Sequence, residues 1–133
     1  MPLARNSSDE ELLAEVHAWI ELLSEGNFAN ALQRIPGEQD EAWTPQLLEQ
    51  VVAGYGLPRP HPRGVRFQVT SPGNAAGAVQ VALVEREVLP PGALAYVEHS
   101  LPLNGQWSDL TATFVLYPSE SKASLRLREV HVL

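Results

Sequence analysis

The sequence predicts an α+β domain in which about three N-terminal helices pack on one face of a curved, mostly antiparallel sheet of about five strands. Apolar residues recur with helical spacing up to about residue 56 and alternate, as in strands, from residue 65 onward. Between the two halves, the segment LPRPHPRG places three prolines in eight residues, which is incompatible with a helix or an interior strand. The 133 residues match the size of one average domain, so a single domain, 1–133, is expected.

Residues typical of helix N-caps precede each of the three predicted helices. Ser8 and Glu11 form a capping-box pattern ahead of a first helix that runs from about residue 9 to residue 25. Asn27 precedes a short second helix, and Thr44 precedes a third that has proline at its first position. Each stretch carries an apolar stripe that must be covered in the folded protein.

Five strands are predicted in the second half, separated by turns rich in glycine, proline and asparagine. They cover about residues 65–69, 79–88, 94–101, 110–116 and 125–133. The connections are too short for crossover helices, so neighbouring strands must pair mostly antiparallel. The economical arrangement lays the helices on the apolar face of this sheet.

The last predicted strand changes its apolar phase partway along. Its apolar residues occupy odd positions up to Leu127 and even positions from Val130. Either a β-bulge near Arg128 and Glu129 resets the register, or the strand end is buried on both sides. Without a bulge, Glu129 and His131 would point towards the core, where a carboxylate and an imidazole could form an acid–base pair.

Charge and composition argue against several classes of function. The net charge is −7, and residues 1–56 contain ten acidic and two basic side chains. A chain with one lysine and no basic cluster is not expected to bind nucleic acid. The absence of cysteine excludes disulfides, thiolate metal sites and cysteine nucleophiles. No signal peptide or apolar stretch of membrane-spanning length is visible, so a cytoplasmic protein without membrane contact is expected.

The sequence contains no P-loop, dinucleotide fingerprint or nucleophile elbow. Candidate site residues are therefore chosen among individual polar and aromatic side chains. The four histidines lack metal-ligand spacing, so neither a cofactor nor a bound metal is expected. Polar residues on or beside predicted strands provide four candidate catalytic residues: His99, Asp109, Glu129 and His131. Aromatic residues with a polar group provide four candidates for lining a pocket: Trp19, Tyr55, Tyr96 and Trp107.

Two segments and the order of the predicted elements resemble the nuclear transport factor 2-like superfamily, which has a cystatin-like fold. The opening ELLAEVHAWIELLSEGNFANAL, a helix followed by a Gly-Asn break and a second helix, is similar to the start of many small members. The segment from Trp107 to Ala112, WSDLTA, and the ending from Leu127 to Leu133 are similar to small bacterial proteins. The resemblance implies a cone-shaped pocket between the helices and the sheet. Family enzymes carry an acid or base set in that pocket, and no such set is matched here position by position.

Three hypotheses for function follow from these observations. The first is a non-catalytic domain that binds a small molecule or a protein. The second is a small isomerase, dehydratase or hydrolase with its site in the cone-shaped pocket. The third is an immunity-type protein that neutralises a toxin through its acidic helical surface. A homodimer is also expected, formed through the sheet face opposite the helices, where six residues give a mixed apolar surface: Val84, Val88, Val115, Tyr117, Val130 and Val132.

Overall fold

The α+β prediction is confirmed by the computed structural model, which describes residues 3–38, 43–57 and 59–132. Three helices come first: α1 (Asp9–Ser24), α2 (Phe28–Arg34) and α3 (Pro45–Ala53). A single turn of 3-10 helix (Pro72–Asn74) precedes one curved antiparallel sheet of four strands in chain order: β1 (Ala82–Glu85), β2 (Ala95–Leu103), β3 (Gln106–Ser119) and β4 (Lys122–Val132). Within the described residues, no helix has the length and apolar character that crossing a membrane requires.

The three helices begin where their capping residues predict. The Ser8 hydroxyl accepts a hydrogen bond from the backbone N–H of Glu11, and the Glu11 carboxylate accepts one from the backbone N–H of Ser8 (3.0 Å). The side chains of Asn27 and Thr44 each accept a hydrogen bond from the backbone three residues further on. The starts of the helices are therefore set by local chemistry, before any tertiary packing is considered.

The sheet has four strands where about five were expected, because the stretch 65–69 does not form a strand. Its pairing with the sheet is reduced to an isolated bridge between Val69 and Leu103. The backbone N–H of Phe67 donates to the carbonyl of Ala53 at the end of α3, so this part of the chain divides its backbone hydrogen bonds between a helix end and the end of β2. Alternation alone did not reveal that a helix end would compete for the hydrogen bonds of this segment.

One hydrophobic core joins the inner face of the sheet to the helices. The buried face of α1 contributes five apolar side chains, namely Leu12, Val16, Trp19, Ile20 and Leu23. Trp19 is fully buried and stands edge-on to Phe114 of β3, with ring centroids 5.1 Å apart. Burial of these apolar faces provides most of the driving force for folding.

The predicted bulge in the last strand is confirmed. Thr113 of β3 pairs with Glu129, whereas the next residue, Phe114, pairs with Leu127, so Arg128 is the extra residue in β4. The bulge returns the next apolar side chain of β4 to the core after two residues that face outwards. The acid–base pair that would have pointed into the core is therefore not formed there.

The free edge of β4 is covered from Ala123 to Arg128. The backbone of Leu3 pairs with Ala123, and that of Gly37 bridges to Leu127. The indole N–H of Trp43 donates to the carbonyl of Arg128 at the bulge (3.2 Å). These contacts occupy backbone hydrogen-bonding groups that would otherwise be free to pair with a strand of another chain.

Two single-residue deletions in β4 test its register. Deleting Arg128 removes the bulge and leaves Leu127 and Val130 facing the core, so we expect a loss of about 1–2 kcal/mol in the free energy of unfolding. Deleting Arg126 instead turns Leu127 outwards and drives Arg128 into the core, and we expect a loss of more than about 3 kcal/mol. Urea unfolding followed by circular dichroism measures both values. Equal losses for the two deletions would contradict the register described here.

Candidate functional site

A cleft of about 380 Å³ opens where the hairpin between β2 and β3 meets the end of α3. Three of the eight candidate residues from the sequence, Tyr55, Trp107 and Asp109, lie together in its wall. The remaining lining residues are Phe67, Gln80, Leu103, Asn104, Gln106 and Ser108. Asp109 is the one charged side chain among these nine, so the described wall of the cleft is aromatic and polar with a single negative charge.

Tyr55 enters the cleft because the chain reverses sharply after α3. Its backbone has φ +56°, a left-handed conformation that costs a residue with a Cβ about 1–2 kcal/mol. The phenol hydroxyl donates a hydrogen bond to the Asp109 carboxylate, and the ring packs against Phe67 with centroids 4.8 Å apart. Burial raises the pKa of the Tyr55 phenol, and the Asp109 carboxylate raises it further. The phenol therefore stays protonated and remains a hydrogen-bond donor to Asp109.

Asp109 reaches the cleft because the pairing of β2 with β3 is irregular beside it. The register shifts after Ser100, so that residues 108–110 of β3 stand opposite the single residue Leu101. The Ser108 hydroxyl stabilises this irregularity, since it donates to the carbonyl of Leu101 (2.7 Å) and accepts the backbone N–H two residues ahead. The sequence contains the tight Asn-Gly turn nearby, but no residue pattern in it predicts the shift in register between β2 and β3.

Behind the cleft lies a pair of histidines, and Trp107 contacts one of them. Its ring lies 5.8 Å from that of His99, centroid to centroid. The Nδ1 of His99 donates to the carbonyl of Ser100 (2.8 Å), because a carbonyl can only accept. The Nε2 of His99 therefore accepts, and its partner is the Nε2–H of His17 on α1 at 3.0 Å.

His99 is held in its neutral form. Its side chain is 1% exposed, and this burial lowers the pKa of the imidazole. The nearby His17 lowers that pKa further, while the hydrogen bond to Ser100 opposes the shift. The partner of His99 could not be found from the sequence, because His17 lies 82 residues away on a helix.

The other candidates lie elsewhere in the molecule. Trp19 is in the core and does not line the cleft. Tyr96 lies on the outer face of the sheet and donates to Glu98 (3.0 Å); burial and this carboxylate raise the pKa of Tyr96 to about 12. Glu129 and His131 form a solvent-exposed pair on the same outer face, with Nδ1 and Oε2 3.1 Å apart. The four polar candidates for catalysis thus occupy three separate places.

Several residues of the apolar surface that was expected to form a homodimer are not available on the outer face of the sheet in the structure. Val84 and Val130 pack against the core rather than on the outer face. Val115 is fully buried within the monomer, and Val88 is in the loop that follows β1. The homodimer stays a prediction, and the outer face that would form it is more polar than the sequence indicated.

No protein-family model, curated protein or solved structure matches this chain. Within residues 3–38, 43–57 and 59–132, no group of three or more histidine, aspartate or glutamate side chains is placed to hold a metal ion. The interpretation of the cleft therefore rests on its own geometry and chemistry.

The neutral state of His99 predicts how stability depends on pH. Because the pKa of His99 is below its unfolded value of about 6.5, the unfolded chain binds more protons at acidic pH. The contribution of His99 to stability is complete above about pH 6.5 and is lost as the pH falls below it. We expect the His99→Gln variant to lose less stability than the wild type between pH 7.5 and pH 5, measured by urea unfolding with EDTA present.

A matched variant controls for the loss of a histidine as such. His61 lies in the proline-rich connector, outside the core, and the His61→Gln variant is expected to keep the pH dependence of the wild type. A His99→Gln variant with an unchanged pH profile would show that His99 is not held neutral in the folded protein.

Proposed function

We propose that this chain is a small-molecule-binding domain of the nuclear transport factor 2-like type, and that its ligand is an organic cation bound in the cleft. The observation that carries the proposal is the composition of the cleft wall. Three aromatic rings, those of Tyr55, Phe67 and Trp107, lie beside the single carboxylate of Asp109. No lysine or arginine is among the described residues that line the cleft.

The electrostatics of such a wall favour a cation over an anion or a neutral molecule. The face of an aromatic ring attracts a cation with about 0.5–2 kcal/mol, depending on how far the pair is removed from water. The carboxylate of Asp109 adds direct charge attraction, and a carboxylate has further acceptor positions besides the one that Tyr55 occupies. The net charge of −7 increases the local concentration of cations around the protein.

The side-chain contacts of Tyr55 support a binding role for this end of the domain. Its left-handed backbone belongs to the turn that closes α3, in which the N–H of Gly56 donates to the carbonyl of Val51. From this turn the side chain of Tyr55 makes a hydrogen bond to Asp109 and a ring contact to Phe67. These two contacts preorganise the phenol and the carboxylate, so binding would require little further ordering of either side chain.

The fold supports the choice of superfamily. Three helices followed by an antiparallel sheet, with a long capped first helix, have the order of elements on which the resemblance rests. The cleft lies at one end of the sheet, between the β2–β3 hairpin and the end of α3, and it supplies a concave site in which a small molecule could bind. The cytoplasmic location stays a prediction.

A pair of ligands that differ in charge tests the proposal. We expect benzylammonium to bind with an affinity about tenfold higher than benzyl alcohol, because the carboxylate and the rings favour the positive charge. The measurement is a titration followed by NMR, with the indole N–H signal of Trp107 as the reporter. The Asp109→Asn variant keeps the acceptor for Tyr55 and removes the charge, so its preference for the cation is expected to fall to the smaller contribution of the aromatic rings.

The control variant for this experiment is Glu129→Gln, which removes a carboxylate from the outer face of the sheet, away from the cleft. It is expected to retain the preference of the wild type for the cation. Equal affinity of the wild type for the two ligands, or an unchanged preference in the Asp109→Asn variant, would refute the assignment of the cleft as a cation site.

A further inference from the structure

The histidine pair behind the cleft brings together two imidazole nitrogen atoms from different secondary-structure elements. His17 projects from α1 and is exposed, whereas His99 projects from β2 and is buried. Their Nε2 atoms are 3.0 Å apart, and the planes of the two rings are inclined at 85°. Both side chains come from regular secondary structure, so the separation of the two nitrogen atoms is held by the backbone.

The hydrogen bonding of His99 matches that of a metal ligand. Its Nδ1–H donates to the carbonyl of Ser100, which leaves the Nε2 lone pair directed at His17. Histidines that bind metals in proteins almost always donate their second ring N–H to a carbonyl, a carboxylate or water in this way. In the absence of an ion, the proton on Nε2 of His17 occupies the space between the two rings.

The distance between the nitrogen atoms indicates which ions would fit. With metal–nitrogen bonds of about 2.0–2.1 Å, a separation of 3.0 Å corresponds to an angle of roughly 90° at the ion. Such an angle belongs to neighbouring positions in square-planar or octahedral coordination, the geometries of Cu(II) and Ni(II), and is smaller than the tetrahedral angle of Zn(II) sites.

We propose that His17 and His99 bind one divalent transition-metal ion between their Nε2 atoms, with Cu(II) preferred and water in the remaining positions. The ion would enter from the solvent side, through the exposed His17, and the proton on Nε2 of His17 would move to Nδ1 of the same ring, so that both imidazoles bind in their neutral form. Imidazole nitrogen is a suitable ligand for this class of ion, and divalent copper binds most tightly in the first-row series. The ring of Trp107 would separate the metal site from the cleft, because Trp107 contacts His99 and also lines the cleft.

The test is a titration of the full chain with a Cu(II) salt at pH 7.4, followed by calorimetry and by tryptophan fluorescence. We expect one equivalent to bind, with quenching of the Trp107 emission, and weaker binding of Ni(II) and Zn(II). The His17→Ala variant removes an exposed ligand without opening the core, and its affinity for Cu(II) is expected to be at least about tenfold lower. The Trp107→Phe variant is expected to bind Cu(II) with the same stoichiometry and reduced quenching.

Two histidines away from the pair provide matched controls. The His61→Ala and His131→Ala variants are expected to bind Cu(II) like the wild type, because neither side chain contacts His17 or His99. Wild-type affinity in the His17→Ala variant would overturn the proposal. A loss in either control variant as large as that in His17→Ala would overturn it as well, since binding would then be shared among surface histidines.

Discussion

The register of β3 is the constraint on which the rest of the structure depends. This strand pairs with β2 on one side and with β4 on the other, and its residues 110–116 are buried whichever face they point to. Its ladder is irregular twice, once opposite Leu101 of β2 and once opposite Arg128 of β4. Because successive side chains of a strand alternate between its faces, each irregularity decides where the polar residues beside it are exposed.

The two irregularities separate the polar chemistry of the molecule into two places. The first directs Asp109 towards Tyr55 at the end of α3 and opens a cleft with aromatic walls. The second keeps Val130 in the core and leaves Glu129 and His131 together on the outer face. The side chains of the proposed binding site therefore lie at one end of the domain, next to the buried imidazole of His99 and away from the exposed pair of Glu129 and His131.

Much of this fold could be predicted from the sequence where local chemistry decides it. The capping residues Ser8 and Thr44 locate helix starts, and the change of apolar phase after Leu127 locates a bulge. The missing strand at 65–69 and the contact between His17 and His99 could not be predicted, because both depend on which distant segment arrives beside them. Tyr55 and Asp109 were separate candidates for the same reason, since only the tertiary fold brings them together.

The register of β3 is tested most directly by the pattern of cross-strand nuclear Overhauser effects along this strand in the isotopically labelled protein in solution. The bulged register predicts contacts between the backbones of Thr113 and Glu129 and between those of Phe114 and Leu127, with Arg128 left without an opposite partner in the ladder. Direct pairing of Thr113 with Arg128 would contradict this register. That result would turn Glu129 towards the core and remove the physical basis for placing the binding chemistry at the cleft alone.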